Sequence, residues 1–187
     1  KNTLALRVYT INPGIGLDGN MELTLTDSVS LLKNPSFEVP VNTPAKWTAT
    51  GTDKNVFFWE EAATVRTGFR AVGLKGTDAL AEKEGAWMSD IMLVTPGNEY
   101  RAQAYVKAED PTGETTIQIR FYNADGDEVL YENERAVSRN LGRRTSDWTR
   151  GNLYGTAPED AAYARVCLVS KDNSGIVWFD DVAFTLE

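Results

Sequence analysis

The feature that most constrains this chain is a succession of short strand-like segments separated by turn residues. The segments are rich in β-branched and aromatic residues, and the connections carry Gly, Pro, Asn and Asp, as in 110–113 and 171–175. Strands are predicted at 36–39, 56–59, 70–75, 86–94, 99–108, 115–122, 128–133, 147–153, 162–170 and 176–185. Short strands at this spacing predict an all-β fold, an antiparallel two-sheet β-sandwich of the jelly-roll type.

The length of 187 residues suits one domain with one hydrophobic core. We assign residues 31–187 to the sandwich, and residues 1–30 to an N-terminal β-hairpin extension or to the tail of a preceding domain. The chain begins at Lys1 without a Met, so we expect a monomeric unit cut from a multidomain chain.

Composition excludes several classes of function. The net charge of −8 argues against nucleic acid as a partner, and no apolar run approaches the 18 or so residues that insert into a membrane. The chain has no His, which removes Ser-His-Asp and Cys-His catalysis and most zinc chemistry. The single Cys167 has no internal disulfide partner, and we expect it to be a small buried residue.

The segment 178–184, Trp-Phe-Asp-Asp-Val-Ala-Phe, places two carboxylates inside a core strand. Strict alternation sends Asp180 to the same face as Val182 and Phe184, where an unpaired carboxylate is costly. Glu38 ends a similar acid-bearing segment near the start of the sandwich. A Ca²⁺ ion that bridges the first and last strands would neutralise both acids. Asp181 is the alternative ligand.

The same acids also have an explanation without a metal. In it, Asp180 caps a turn and Glu38 pairs with Arg66 or Arg70. A second calcium candidate, residues 121–132, begins with a Phe that cannot bind a metal, so we interpret its Asp-Gly as a hairpin turn.

Two strands allow their faces to be assigned. Alternation in 100–107 and in 117–122 places planar, hydrogen-bonding side chains outward: Arg101, Gln103 and Tyr105 on the first strand, and Gln118, Arg120 and Tyr122 on the second. If the two strands pair, these side chains form one strip. Amide and guanidinium groups form paired hydrogen bonds with sugar hydroxyls, and aromatic rings pack on sugar C–H groups. The strip therefore predicts a carbohydrate-binding face.

Several motifs carry a family resemblance. They are Asn-Pro-Ser-Phe-Glu at 34–38, Thr-Pro-Gly-Asn-Glu-Tyr at 95–100, Ser-Asp-Trp at 146–148 and Trp-Phe-Asp-Asp-Val at 178–182. In this order they resemble the β-jelly-roll carbohydrate-binding modules of the group that holds families 4, 9, 16 and 22. The resemblance covers about residues 31–187.

The resemblance implies a non-catalytic module that binds a plant or microbial polysaccharide and targets an attached enzyme or surface protein to it, in a secreted or cell-surface bacterial protein. It also implies a structural Ca²⁺ held by the carboxylates of Glu38 and Asp180 and by main-chain carbonyls near Ser36, Arg66 and Phe69. Sugar-stacking aromatics of such modules lie near the positions of Trp87 and Tyr131, and Trp87 is the first choice.

Two other functions are weighed beside this one. A jelly roll can carry lyase chemistry, with Tyr105 or Tyr122 as the base and Arg120 neutralising a uronate. A sandwich of this size can also be a protein-interaction or adhesion domain.

Overall fold

The computed structural model describes residues 29–39, 43–51, 55–61, 64–76, 84–130 and 135–187. Within these ranges the chain forms twelve β-strands and no helix. They are β1 (Trp47–Thr50), β2 (Asn55–Glu61), β3 (Arg70–Gly76), β4 (Glu84–Ser89), β5 (Met92–Leu93), β6 (Glu99–Glu109), β7 (Glu114–Tyr122), β8 (Glu128–Val129), β9 (Ala136–Val137), β10 (Ser146–Thr156), β11 (Tyr163–Lys171) and β12 (Ile176–Leu186). Because it has no helix, this part of the chain offers no helical membrane span.

The strands form two antiparallel sheets. The larger sheet has the order β1-β4-β11-β7-β8, with β5 paired to β11 and β9 paired to β7. The smaller sheet has the order β10-β6-β12-β3-β2. The β-sandwich prediction is confirmed. The predicted N-terminal hairpin and Tyr131 lie outside the described residues.

Most predicted strands are present, and the differences have local causes. The predicted strand 86–94 is divided into β4 and β5 by Asp90 and Ile91. The segment 36–39 is not a strand, since Asn34 and Phe37 adopt left-handed backbone conformations (φ of 54° and 60°) that break an extended path. The short strands β1 and β9 were not predicted, because strands of four and two residues carry too little alternation to detect.

The core lies between the inner faces of the two sheets. Trp87, Ile117 and Leu168 face inward from the larger sheet, and Val106 and Phe179 face inward from the smaller one. Burial of these side chains provides the main favourable contribution to folding. The described outer faces are then available to carry function.

The strip predicted from β6 and β7 is not continuous. The two strands belong to different sheets, so their outward side chains lie on opposite sides of the sandwich. The neighbours of β6 are β10 and β12, and the neighbours of β7 are β11, β8 and β9. The predicted sugar-binding residues of β6 and those of β7 therefore lie on two separate surfaces.

The closing strand β12 does not follow strict alternation. Its register with β6 shifts between Asp180 and Ala183, and Asp181 has a φ of 47°. This bulge changes the face that alternate residues occupy, because it adds an unpaired residue. Phe179 points into the core before the bulge and Phe184 after it, so Asp180 is not on the same face as Phe184, contrary to the alternation argument.

Candidate functional site

The first and last segments of the sandwich meet beside the β12 bulge. The N–H of Val182 donates to Pro35 O (2.9 Å), and the N–H of Leu31 donates to Phe184 O (2.8 Å). β3 pairs with β12 only as far as Phe179, and residues 31–35 hydrogen bond to β12 beyond that point. The predicted meeting of the two acid-bearing segments is confirmed.

Asp180 is fully buried at this junction. Its Oδ2 accepts the main-chain N–H groups of Arg66 (3.0 Å) and Thr67 (3.1 Å), and its Oδ1 accepts the N–H of Asp181 (2.7 Å). Burial raises the pKa of Asp180 to about 6, although the N–H groups of Thr67, Asp181 and Arg66 counteract the shift. The three N–H dipoles therefore do not fully compensate the buried charge.

Asp181 occupies a different environment on the other side of the bulge. It accepts hydrogen bonds from the hydroxyls of Ser36 and Thr67, both 2.7 Å, and it pairs with the guanidinium of Arg66. Burial alone would raise the pKa of Asp181, but the two hydroxyls and Arg66 outweigh burial and lower it. Asp181 thus pairs with a cation, whereas Asp180 pairs with none in the part of the chain that the structure describes.

Glu38 contacts the same turn farther along the chain. Its Oε1 accepts the N–H groups of Phe69 (2.9 Å) and Arg70 (3.1 Å). Gly68 has a φ of 67°, and a Cβ at this position would lie 2.1 Å from Glu38 Oε1. Only glycine therefore allows this approach of the carboxylate to the turn.

The donor set at this junction is suited in part to the predicted Ca²⁺. Glu38 and Asp180 bring two carboxylates to one turn, and the buried Asp180 has no side-chain cation among the described residues. Hard oxygen donors of this kind fit Ca²⁺. Arg66 and Phe69 present main-chain N–H groups to the carboxylates, and Ser36 donates its hydroxyl to Asp181. The turn-capping role weighed for Asp180 is also present.

The outer face of the larger sheet brings together a second group of polar residues. Antiparallel pairing places Tyr122 opposite Tyr163, Arg120 opposite Arg165, and Gln118 opposite Cys167, which in turn is opposite Met88. We call the outward side chains of β4, β11 and β7 the β11 face. It contains three of the predicted ligand residues, Gln118, Arg120 and Tyr122.

Arg120 is the centre of this face. Its Nε and Nη2 donate to Gln118 Oε1 at 3.0 and 2.8 Å, and Nη2 also pairs with the carboxylate of Glu84. Only 13% of the Arg120 side chain is exposed. Because Glu84 is on β4 and Arg120 is on β7, their contact passes over the intervening strand β11. The guanidinium is held in a defined position above the sheet.

A small apolar cluster lies beneath these polar groups. Ala86, Cys167 and Val169 are buried apart from the main core, and Met88 packs against them. The β11 face therefore places a few oriented polar groups over a buried apolar floor.

The burial of Cys167 gives a testable prediction. Its thiol is buried, and burial raises its pKa to about 12. At pH 8 we expect the native thiol to react with a disulfide reagent about three orders of magnitude more slowly than the denatured chain, because so little thiolate is present. The rate at which the disulfide reagent releases its chromophore, measured with and without denaturant, gives the ratio of the two reaction rates. Equal rates would show that the β11 face opens readily.

Trp87 is not a surface residue. It is 3% exposed on the inner face of β4, its indole N–H donates to Gly73 O (3.0 Å), and Phe57 packs edge-on against it at 5.5 Å. The indole N–H joins the larger sheet to the smaller one. The expectation that Trp87 stacks on sugar is corrected accordingly: this Trp is part of the core.

The outward residues of β6 lie on the outer face of the smaller sheet. Arg101 pairs with Glu187 at 3.2 Å, Gln103 is opposite Asn152 of β10, and the guanidinium of Arg66 lies 3.4 Å from the centre of the Tyr105 ring. One face of the Tyr105 ring is thus already covered. Gln103 and Arg101 remain candidate contacts on this second surface.

Sequence reasoning missed Tyr163, Arg165 and Glu84 on the β11 face. The first two alternate with buried residues along β11 and had a detectable signal, but their proximity to Arg120 depends on the pairing of β11 with β7. The predicted Asp-Gly hairpin between β7 and β8 is present. There, Asn123 Oδ1 accepts the N–H groups of Asp125 and Asp127, and Gly126 has a φ of 95°.

No family model matches the sequence, and no curated protein matches it. Several solved structures do share the fold, at 14–18% sequence identity. The enzymatically active domain of tailspike protein 4 of bacteriophage CBA120 is 17% identical with a TM-score of 0.64, over 84% of this chain and 21% of that one. This chain therefore spans about a fifth of that protein.

Two further structures are similar over nearly their whole length. The Stig cyclase Fisc from Fischerella sp. TAU is 14% identical with a TM-score of 0.63, over 86% of this chain and 98% of that one. The CBM22-1 xylan-binding domain of Paenibacillus barcinonensis Xyn10C is 15% identical with a TM-score of 0.54, over 85% and 95%. Family 16 and family 61 carbohydrate-binding modules also match. The resemblance to carbohydrate-binding jelly rolls is confirmed at the level of the fold.

Proposed function

We propose that this chain is a carbohydrate-binding module that holds a polysaccharide chain on the β11 face without cleaving it. The observation that carries the proposal is the Arg120 guanidinium, which Gln118 and Glu84 orient above an apolar floor on the outer side of a sheet. Groups held in place before binding lose little conformational entropy when a ligand arrives.

The structures that share the fold support a sugar as the ligand. One carbohydrate-binding module was crystallised with β-1,4-galactotriose, and another is a xylan-binding domain. The cyclases and the tailspike domain show that the same fold also occurs in enzymes, so the fold alone does not decide between binding and catalysis. The choice rests on the chemistry of the β11 face.

Each group on the face has a distinct role in this proposal. Tyr122 and Tyr163 pack against the apolar side of sugar rings, at about 1 kcal/mol per ring beyond the buried area. Arg120, Arg165 and Gln118 donate hydrogen bonds to hydroxyls, and Glu84 accepts them. Two or three such contacts, offset by ordering costs, give micromolar to millimolar affinity.

The environment of Tyr122 favours binding over lyase chemistry. Burial is the main cause that raises the pKa of Tyr122, so its hydroxyl stays protonated and is a poor general base at neutral pH. Arg120 is already paired with Glu84, and it is not a free cation for a uronate. These two observations support binding over a lyase reaction that would use Tyr122 and Arg120; they do not concern Tyr105, the other base considered.

In this proposal the module is secreted or displayed on a cell surface and keeps an attached enzyme near its substrate, which raises the effective concentration. Glu38 and Asp180 would hold a structural Ca²⁺ at the junction of the first and last segments. The ion would supply the positive charge that the buried Asp180 lacks. The junction lies on the smaller sheet, so the ion would stabilise the sandwich rather than contact the sugar.

Affinity electrophoresis in native gels that contain soluble glucans, xylans, mannans and galactans tests the proposal. We expect one of these polymers to retard the protein without release of reducing ends. Arg120→Ala should weaken binding by about 10-fold to 100-fold, since it removes hydrogen bonds from a charged group. Tyr163→Ala should weaken it by about fivefold.

The outer face of the smaller sheet supplies matched controls. Tyr154→Ala should leave the retardation unchanged. Gln103→Ala should leave the retardation by these neutral polymers unchanged if they bind the β11 face, and far-UV circular dichroism verifies that all four variants fold. Loss of binding in Gln103→Ala alone would move the site to the smaller sheet. If no polymer retards the protein, the protein-interaction alternative replaces this proposal, and new reducing ends would make the module an enzyme.

A further inference from the structure

A cleft lined by arginines lies away from the β11 face, where the chain passes from β9 to β10. It has a volume of about 440 Å³. Its lining contains four arginines, Arg139, Arg143, Arg144 and Arg150, together with uncharged residues of the same segment. The whole chain carries 19 basic and 27 acidic residues and a net charge of −8. The cleft is therefore a local positive region in an acidic protein.

The four arginines have no ion-pair partner among the described residues. Two acids that lie next to this segment are engaged elsewhere. Asp147 faces Lys107 at 3.8 Å, and Asp110 accepts a hydrogen bond from the Thr145 hydroxyl. In the described structure the guanidinium groups therefore have donors left over for an external anion.

The segment that carries the arginines has a fixed backbone. The N–H of Ser138 donates to Ile117 O, and the N–H of Leu141 donates to Thr115 O. Asn140 accepts the N–H of Thr115 and donates to Gly113 O. These hydrogen bonds hold the segment against the first half of β7. The backbone of the cleft is therefore in place before a ligand binds.

Close packing against β10 fixes the other wall of the cleft. A Cβ at Gly151 would lie 2.4 Å from Leu141 Cδ1, so the glycine leaves room for Leu141 to pack directly on the strand here. Arg150 precedes this glycine and points outward beside Tyr105 of β6. Ser146 Oγ is buried with no partner in the described structure, and it remains able to bond a water or a ligand oxygen.

We propose that this cleft binds the carboxylate or sulfate groups of an acidic polysaccharide. Arginine forms bidentate hydrogen bonds with planar carboxylates and with sulfate oxygens, and four guanidiniums can contact successive anionic units of one chain. A polymer of sugars is favoured over an isolated anion because Arg150, which lines the cleft, is paired with Tyr105 of β6. The next outward pair along these strands, Asn152 with Gln103, can contact uncharged parts of the chain. This inference rests on the proposed carbohydrate-binding function and specifies that the polysaccharide is anionic.

Binding of polygalacturonate and of dextran sulfate, measured against unsubstituted dextran, tests the inference. We expect retardation by one or both acidic polymers, with a loss of at least about tenfold when salt is raised from 50 to 500 mM, because screening weakens the ion pairs. Arg143→Ala/Arg144→Ala should weaken this binding by about tenfold or more. Preference for polygalacturonate identifies a carboxylate ligand, and preference for dextran sulfate identifies a sulfate.

Lys33→Ala/Lys75→Ala is the matched control, since it removes the same charge from exposed positions outside the cleft. We expect it to bind the acidic polymers like the unmodified protein. Equal binding by both double variants, or no binding to any acidic polymer, would overturn the inference. Equal retardation by single-stranded DNA would also overturn it, because the cleft would then accept any polyanion.

The two proposals fail separately. Binding of neutral polymers that depends on Arg120, together with no binding of acidic polymers, would leave the proposed function intact and remove only the arginine cleft. Binding of acidic polymers that depends on Arg143 and Arg144, but not on Arg120, would retain the cleft and remove the β11 face as the sugar site.

Discussion

Replacement of Trp87 with alanine is expected to lower the free energy of unfolding by about 3–5 kcal/mol, which is the usual cost of truncating a large aromatic residue in a core. The ring fills the space between the sheets beside Phe57, and its N–H satisfies Gly73 O. Both the packing and the hydrogen bond are lost in the variant. Urea unfolding followed by far-UV circular dichroism measures the change.

Tyr154→Ala is the matched control for this prediction. The Tyr154 side chain is 52% exposed on β10, so its removal should cost less than about 1 kcal/mol. At temperatures where the Trp87→Ala variant remains folded, this variant should bind sugar as the unmodified protein does. The reason is that the native Trp87 ring lies between the sheets and does not reach the β11 face. Normal stability together with lost binding would restore Trp87 as a ligand residue.

Addition of Ca²⁺ is expected to raise the melting temperature by about 5–10 °C relative to a chelator. At a concentration one hundred times the dissociation constant, a ligand that binds only the folded state stabilises it by about 2.7 kcal/mol. A domain of this size shifts by about 2–4 °C per kcal/mol. Thermal unfolding in Ca²⁺, in Mg²⁺ and in chelator measures the effect.

Amide variants at the junction provide the test of location. Glu38→Gln and Asp180→Asn should each remove most of the Ca²⁺-dependent shift, and Glu159→Gln, at an exposed loop position, should retain it. A melting temperature that does not depend on Ca²⁺ would mean that the turn amides alone satisfy Asp180. A shift retained in both junction variants would place the ion elsewhere in the chain.

The local patterns that sequence analysis interpreted were those with strong periodicity. Arg101, Gln103 and Tyr105 do face outward on β6, and Gln118, Arg120 and Tyr122 do face outward on β7. Alternation depends only on backbone geometry, which each strand carries in its own sequence. The meeting of the segment that carries Glu38 with the closing strand was also foreseen, since acids beside apolar residues require partners.

The sequence alone determined that this chain forms an antiparallel sandwich and which of its strands are amphipathic. The tertiary structure decided which strands are neighbours, and therefore that β6 and β7 serve different faces, that Trp87 lies between the sheets, and that Tyr163 and Arg165 join Arg120. It also decided that four arginines line one cleft. The physical reason is that sheet order and the β12 bulge depend on contacts between residues far apart in the chain, and periodicity within one strand carries no information about them.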